Sequence, residues 1–266
     1  MSVFVPRRIE VLVASYGGVG TTFLIEFLSQ FRVTNDRHDG DNLKHLPMPP
    51  VSLNHRFRCV YVFGDPVVAA ASLFQRDMQH AQSVKLLQHR RDLSPIPDGM
   101  ALEAYARAGA DRFHFRAHFK NWHERYCVHP TLFLRHETLW DNLDALSEFL
   151  GLPDEAIDAF PEKRERNTKL NDLPPETLAG LERMYGPLRD ELLERPDAEV
   201  RGADLAGKRL HLVRTRNFRM ALGKATNKAY RKRLRNPLSN AVERAIPRVH
   251  AALVRVKRRV KGGSAD

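Results

Sequence analysis

Cysteine is scarce in this chain. Cys59 and Cys127 are the only two among 266 residues, too few for a disulfide framework or a cysteine-rich metal cluster. Cys59 stands in an apolar run and Cys127 at the expected end of a helix. Both read as ordinary thiols, which fits a reducing, cytoplasmic setting. No apolar run reaches the roughly 20 residues of a membrane span. Met1-Ser2-Val3-Phe4-Val5-Pro6-Arg7-Arg8 leads straight into the next apolar run, so no signal peptide is expected. No His, Cys, Asp or Glu spacing suggests a metal site, and no repeat of solenoid period is visible.

Charge is plentiful but uneven. The formal net charge is +11. Residues 201–266 hold 19 Lys and Arg against 3 Asp and Glu, a net of +16, so residues 1–200 carry −5. The two parts are therefore read separately.

The most informative segment is Ile9-Glu10-Val11-Leu12-Val13-Ala14-Ser15-Tyr16-Gly17-Gly18-Val19-Gly20-Thr21-Thr22-Phe23-Leu24. A short apolar run predicts a buried strand. Apolar residues at 23, 24, 27, 28 and 31 predict a helix over Thr22–Phe31. Three glycines and two threonines lie between. Glycine permits a tight turn and close approach of a ligand. Free N–H groups and the positive dipole end of a helix suit an anion such as phosphate. The pattern G-x-x-x-x-G-K-[ST] is not met, because no lysine precedes Thr21, and neither is G-x-G-x-x-G. A strand-to-helix turn without a ligand is the plain alternative.

Further strands are expected at Arg58–Phe63 and Thr131–Arg135. Gly64-Asp65-Pro66 opens a helix, with Asp65 as N-cap and Pro66 as first helical residue. Helical segments fill roughly 66–90 and 100–127. A helix with apolar residues at 139, 143, 146 and 150 ends at Gly151. Another starts at Pro174-Pro175 and breaks at Gly186-Pro187. Strands alternating with helices predict a three-layer α/β fold with a parallel central sheet. Ligands on such sheets sit at the carboxyl ends of the strands. The expected division is an α/β domain over 1–196 and a basic, largely helical extension over 197–266.

Five segments in order resemble the sulfotransferases that use 3′-phosphoadenosine 5′-phosphosulfate (PAPS). Tyr16-Gly17-Gly18-Val19-Gly20-Thr21-Thr22-Phe23-Leu24 resembles that family's phosphosulfate loop, P-K-S-G-T-T-W-L. Lys44-His45-Leu46-Pro47 is similar to its K-T-H-L-P, one residue short. Tyr61-Val62-Phe63-Gly64-Asp65-Pro66, with Ser72 after it, resembles Y-V-x-R-D-P followed by a serine. Leu132-Phe133-Leu134-Arg135-His136-Glu137-Thr138-Leu139 is similar to F-L-R-Y-E-D-L, and Phe149-Leu150-Gly151-Leu152-Pro153 to its F-L-G-L helix end. The resemblance covers roughly residues 9–195. It departs at two points: Gly18 stands where the family has its loop lysine, and Gly64 where it has the arginine that clamps the 3′-phosphate.

The resemblance implies a P-loop-like strand–glycine turn–helix that holds PAPS. Gly17, Gly18 and Gly20 would supply amides and room, Thr21 and Thr22 would donate to the phosphosulfate, and Ser72 would reach the 3′-phosphate. Lys44, Arg76, Arg164 and Arg166 are the candidates to replace the two missing cations. His45 matches the family's histidine base, and an ordinary histidine pKa of about 6.5 suits that role. Asp39, Asp41 and His38 are the runners-up as base, and no metal is implied. Asp65 is read as a helix cap in preference to a magnesium ligand. The implied reaction moves sulfuryl to a hydroxyl acceptor, on a carbohydrate or a lipid-linked glycan. Two other readings stay open: an inactive relative that binds at a membrane or polyanion, and a phosphoryl-transfer enzyme on the same scaffold.

The tail permits three readings. From Pro237 apolar residues fall at 238, 242, 245, 249, 253, 256 and 260, a helical stripe with Lys and Arg on its other faces. Such a helix packs on a partner or lies on an anionic membrane surface. Nucleic acid fits least, since only Phe218 and Tyr230 are interleaved aromatics.

Overall fold

The computed structural model describes residues 3–87, 90, 92–125, 127–163 and 168–202. The chain separates into two units, Met1–Gly207 and Lys208–Asp266. The second, with the amphipathic tail stripe, lies outside the described residues.

The first unit is a mixed α/β fold. Its strands are β1 (Phe4–Val5), β2 (Val11–Ala14), β3 (Val51–Ser52), β4 (Arg58–Phe63), β5 (Thr131–Arg135) and β6 (Ala198–Arg201). Its helices are α1 (Thr21–Leu28), α2 (Pro66–Gln75), α3 (Gln79–Leu86), α4 (Leu102–Ala108), α5 (Phe115–His123), α6 (Leu143–Leu150), α7 (Glu155–Asp158) and α8 (Pro175–Leu193). The main sheet has the order β2-β4-β5-β6, and β1 pairs with β3 in a separate two-stranded sheet. The first three strands of the main sheet are parallel, with Val13 opposite Val60 and Tyr61 opposite Phe133. The fourth is antiparallel, with Leu132 opposite Val200, so the sheet is mixed where an all-parallel one was expected. Because Ala198–Arg201 belongs to this sheet, the first unit runs past residue 196, where the sequence suggested a boundary.

Along β2 and β5 every residue is buried. Successive strand side chains point to opposite faces, so both faces of the sheet are covered. Leu12, Val13, Val60, Phe133 and Leu134 each lie within 1 % of full burial, and each such side chain contributes roughly 1.5–3 kcal/mol by leaving water. At the outer edge of β2, the Asn35 amide both accepts from the Val13 N–H (2.9 Å) and donates to its carbonyl (3.1 Å). One side chain thus meets both polar groups of an edge peptide.

One helical expectation is corrected and two are resolved into separate helices. The segment 66–90 holds two helices. Asp77 takes a left-handed conformation (φ 53°), with its N–H on the Phe74 carbonyl and the Met78 N–H on Leu73. That paired closure ends α2, and α3 starts afresh. The segment 100–127 likewise divides at Gly109 (φ 64°) and His114 (φ 54°) into α4 and α5. Helix α8, conversely, runs through Pro187. The proline removes one backbone hydrogen bond, but Leu181, Tyr185, Leu188 and Leu192 are buried along the helix, and that packing holds it together. Other expectations are met. Asp65 caps α2 by accepting from the N–H groups of Val67 (2.8 Å) and Val68 (3.4 Å), and Gly151 closes α6 in the left-handed region (φ 57°).

Candidate functional site

The carboxyl ends of β2, β4 and β5 carry three neighbouring turns. They hold Tyr16 to Gly20, Gly64-Asp65 and His136-Glu137. Parallel alignment of the strands puts all three at one edge, where ligands of such sheets bind. The Tyr16 hydroxyl accepts from the Gly64 N–H at 3.0 Å and also bonds the Gly64 carbonyl. The first turn is therefore tied to the second.

Gly17, Gly18 and Gly20 all have positive φ (97°, 72° and 73°), a region open to glycine at little cost. Their surroundings differ from the open cradle expected of them. A Cβ on Gly18 would stand 2.7 Å from the Ala69 carbonyl oxygen of α2. A Cβ on Gly17 would stand 2.6 Å from the Gln82 side chain, whose amide donates to the Tyr16 carbonyl at 3.0 Å. Protein fills the space beside these two glycines, and a lysine at position 18 would have no room for its Cβ. Gly20 is exposed and is the N-cap of α1. The His136 ring stands beside it, 2.6 Å from where a Cβ would lie.

Helix α1 carries no capping side chain and no acidic residue in its first turn. Its first N–H groups have no partner within the helix. Thr21 is buried and Thr22 exposed. The Lys44 ammonium donates to the Thr22 hydroxyl at 2.7 Å and to the Arg37 carbonyl at 2.9 Å. Two of its three N–H donors are thus engaged. Burial pushes the Lys44 pKa down to about 8, with Asp39 opposing the shift and Lys85 and Arg76 adding to it. Lys85 and Arg76 thus lie within electrostatic reach of the Lys44 ammonium. Of the cations proposed to replace the missing pair, Lys44 reaches the first turn of α1, Arg76 stays on the Ser72 carbonyl of α2, and Arg164 and Arg166 lie outside the described residues.

His45 sits next to this cluster. Its Nδ1–H donates to the Ser15 carbonyl at 2.8 Å, which leaves Nε2 with the lone pair. Burial pushes its pKa down to about 4, against the raising effect of the Ser15 bond. This corrects the expectation of an ordinary value. The ring is neutral near pH 7, ready to accept a proton but weakly basic.

The runners-up for the base are bound into the loop. Buried Asp39 pairs with Lys85 at 2.6 Å and accepts from the Lys44 N–H at 2.9 Å. Asp41 accepts from the N–H groups of Asp36 and Leu43. His38 accepts from the Arg37 side chain at 3.0 Å. On α2, Ser72 is partly exposed, and Arg76 Nε donates to its carbonyl at 3.0 Å.

Two further residues stand at this edge, His136 and Glu137, in the segment Leu132–Leu139 whose strand and turn resemble the family's. The Glu137 carboxylate lies beside Gly64 and accepts from the Asp65 N–H at 3.2 Å. His136 packs edge-on to Phe23 and Trp140, and Phe23 stacks on Trp140 with centroids 5.5 Å apart. The usable signal was their place immediately after a strand at its carboxyl end. Burial raises the thiol pKa of both Cys59 and Cys127, which makes them poor nucleophiles. Among the described residues no group of three His, Cys, Asp or Glu is placed to hold a metal ion, and no helix is long and apolar enough to cross a membrane. Comparison with family models, with curated proteins and with solved structures finds no match.

Proposed function

We propose that this protein transfers a sulfuryl group from PAPS to a hydroxyl acceptor, on a three-layer α/β scaffold with a P-loop-like turn and a basic C-terminal extension. The observation that carries the reading is the Lys44 ammonium on the Thr22 hydroxyl at the first turn of α1. The resemblance wants a cation there, and the loop itself has none. In this reading Lys44 and the first N–H groups of α1 hold the phosphosulfate. The acceptor hydroxyl gives its proton to His45 Nε2 as its oxygen bonds to sulfur. The sulfur–oxygen bond to the nucleotide phosphate breaks, and Lys44 offsets the charge left on that phosphate. A carbohydrate or lipid-linked glycan is the proposed acceptor.

The second reading, a catalytically inactive relative acting at a membrane or polyanion surface, is favoured by one observation. Glu137 puts a carboxylate beside Gly64, where the resemblance calls for the cation of the 3′-phosphate site. Calorimetric titration of the full chain with 3′-phosphoadenosine 5′-phosphate tests both. Micromolar binding is expected, weakened roughly tenfold or more in Lys44→Met by the loss of one charge-assisted contact. Binding without any turnover of PAPS selects the second reading. Preference for ATP selects phosphoryl transfer. No binding at millimolar nucleotide overturns both transfer readings.

A further inference from the structure

A cavity of about 480 Å³ opens at the C-terminal end of α2, within the usual range for small-molecule sites. Its walls come from α2, the junction with α3, the segment entering α4, and residues 168–173. Phe74, Met100, Leu102 and Leu173 supply an apolar surface. Each of these four is only partly buried, although all belong to hydrophobic elements packed on the core. Phe74 is held from behind by Tyr105, with ring centroids 5.0 Å apart.

The polar lining is rich in acceptors. Among the described lining residues, Asp77 and Asp172 contribute two exposed carboxylates against the ammonium of Lys169. Gln79 is 4 % exposed. Its amide nitrogen donates to Asp77 Oδ1 at 3.1 Å and to the Met100 carbonyl at 3.3 Å. Both N–H donors are spent, so the orientation of the amide is fixed. Its Oε1 is closed off from solvent, so what this side chain offers the cavity is a firmly held Asp77 carboxylate. An apolar surface beside two carboxylates and one ammonium suits one class of ligand. We propose that this cavity binds a small amphipathic amine: an ammonium at the Asp77 and Asp172 carboxylates, and an apolar or aromatic body on Phe74 and Met100. The site is separate from the glycine turn and stands whether or not the nucleotide reading holds.

The test is ligand-observed NMR on the full chain with 2-phenylethylamine and 3-phenylpropionate, which share a body and differ in charge. Saturable binding of the amine is expected, with the acid binding about tenfold more weakly. Replacing the carboxylates by Asp77→Asn and Asp172→Asn should weaken the amine about fivefold or more. Asn keeps the left-handed backbone at position 77, so the fold should survive, as a far-UV spectrum and melting curve would verify. Ala101→Trp, which fills the mouth from an exposed position, should abolish binding. Equal binding of the two probes, amine binding that survives Ala101→Trp, or no amine binding at millimolar concentration overturns the proposal.

Discussion

The Glu137 carboxylate lies against Gly64, so that a Cβ added there would meet Oε1 at 2.8 Å and Oε2 at 2.9 Å. Gly18, one strand away, meets backbone instead: the Ala69 carbonyl at 2.7 Å and its Cα at 2.8 Å. The chemical difference decides what each position tolerates. A carboxylate at the end of a flexible side chain can swing aside, whereas a helix backbone cannot.

Gly18→Ala is therefore expected to cost about 2–3 kcal/mol, combining an unfavourable positive φ with overpacking against α2. Gly64→Ala should cost less than about 1 kcal/mol. Urea denaturation of the two variants measures this directly, and equal costs would contradict the packing described.

The depressed pKa of His45 has a consequence for stability. In the folded chain the ring titrates at about 4, against about 6.5 when unfolded. Above pH 6.5 both states are neutral and nothing is lost. As pH falls below 6.5 the unfolded state takes up a proton that the folded state refuses, so stability declines until about pH 4. Between pH 7 and pH 5 this amounts to about 2 kcal/mol. His45→Asn should show that much less loss over the same interval in denaturant midpoints. An identical pH slope would mean the ring is not desolvated.

Arg135 offers a test of the sheet edge. Its guanidinium donates to the carbonyls of Leu192 (2.8 Å) and Arg195 (2.7 Å) at the end of α8, and Nε stands 2.6 Å from Asp197. Arg135→Met leaves these carbonyls and a carboxylate without their cation. A loss of about 2–4 kcal/mol is expected, with earlier hydrogen exchange at β6 than at β2. Global destabilisation without selective exposure of β6 would locate the role elsewhere.

Truncation after residue 207 tests the partner proposed for the tail. It keeps β6, which a cut at 196 would remove. The full chain should bind vesicles containing anionic lipid, less so as salt rises, and the shortened chain should not. Retained binding in the shortened chain would assign adsorption to the first unit.

How far the sequence could be read varies by element. Arg58–Phe63 and Thr131–Arg135 are apolar runs of strand length between turn residues, and both form strands with those bounds. The Asp65-Pro66 cap was legible because its chemistry is local. Asp77 was not, since aspartate enters the left-handed region less readily than glycine and only tertiary packing selects it there. Strand β6 reads Ala-Glu-Val-Arg, too short and too charged to announce itself, and it exists because β5 offers a free edge. At the candidate site, the residues adjacent in sequence to a motif were found. Gln82 and Lys85 were not, because α3 brings Gln82 to the Tyr16 carbonyl from 66 positions away and Lys85 to Asp39 from 46.

The phenol of Tyr16 grips both backbone polar groups of one residue, Gly64. Two strand-to-helix corners separated by 48 positions are thereby clamped into a single shelf. A guest prying at either corner would work against the stiffness of both, so the nucleotide proposed for this edge would meet a lock-like rather than an accommodating surface.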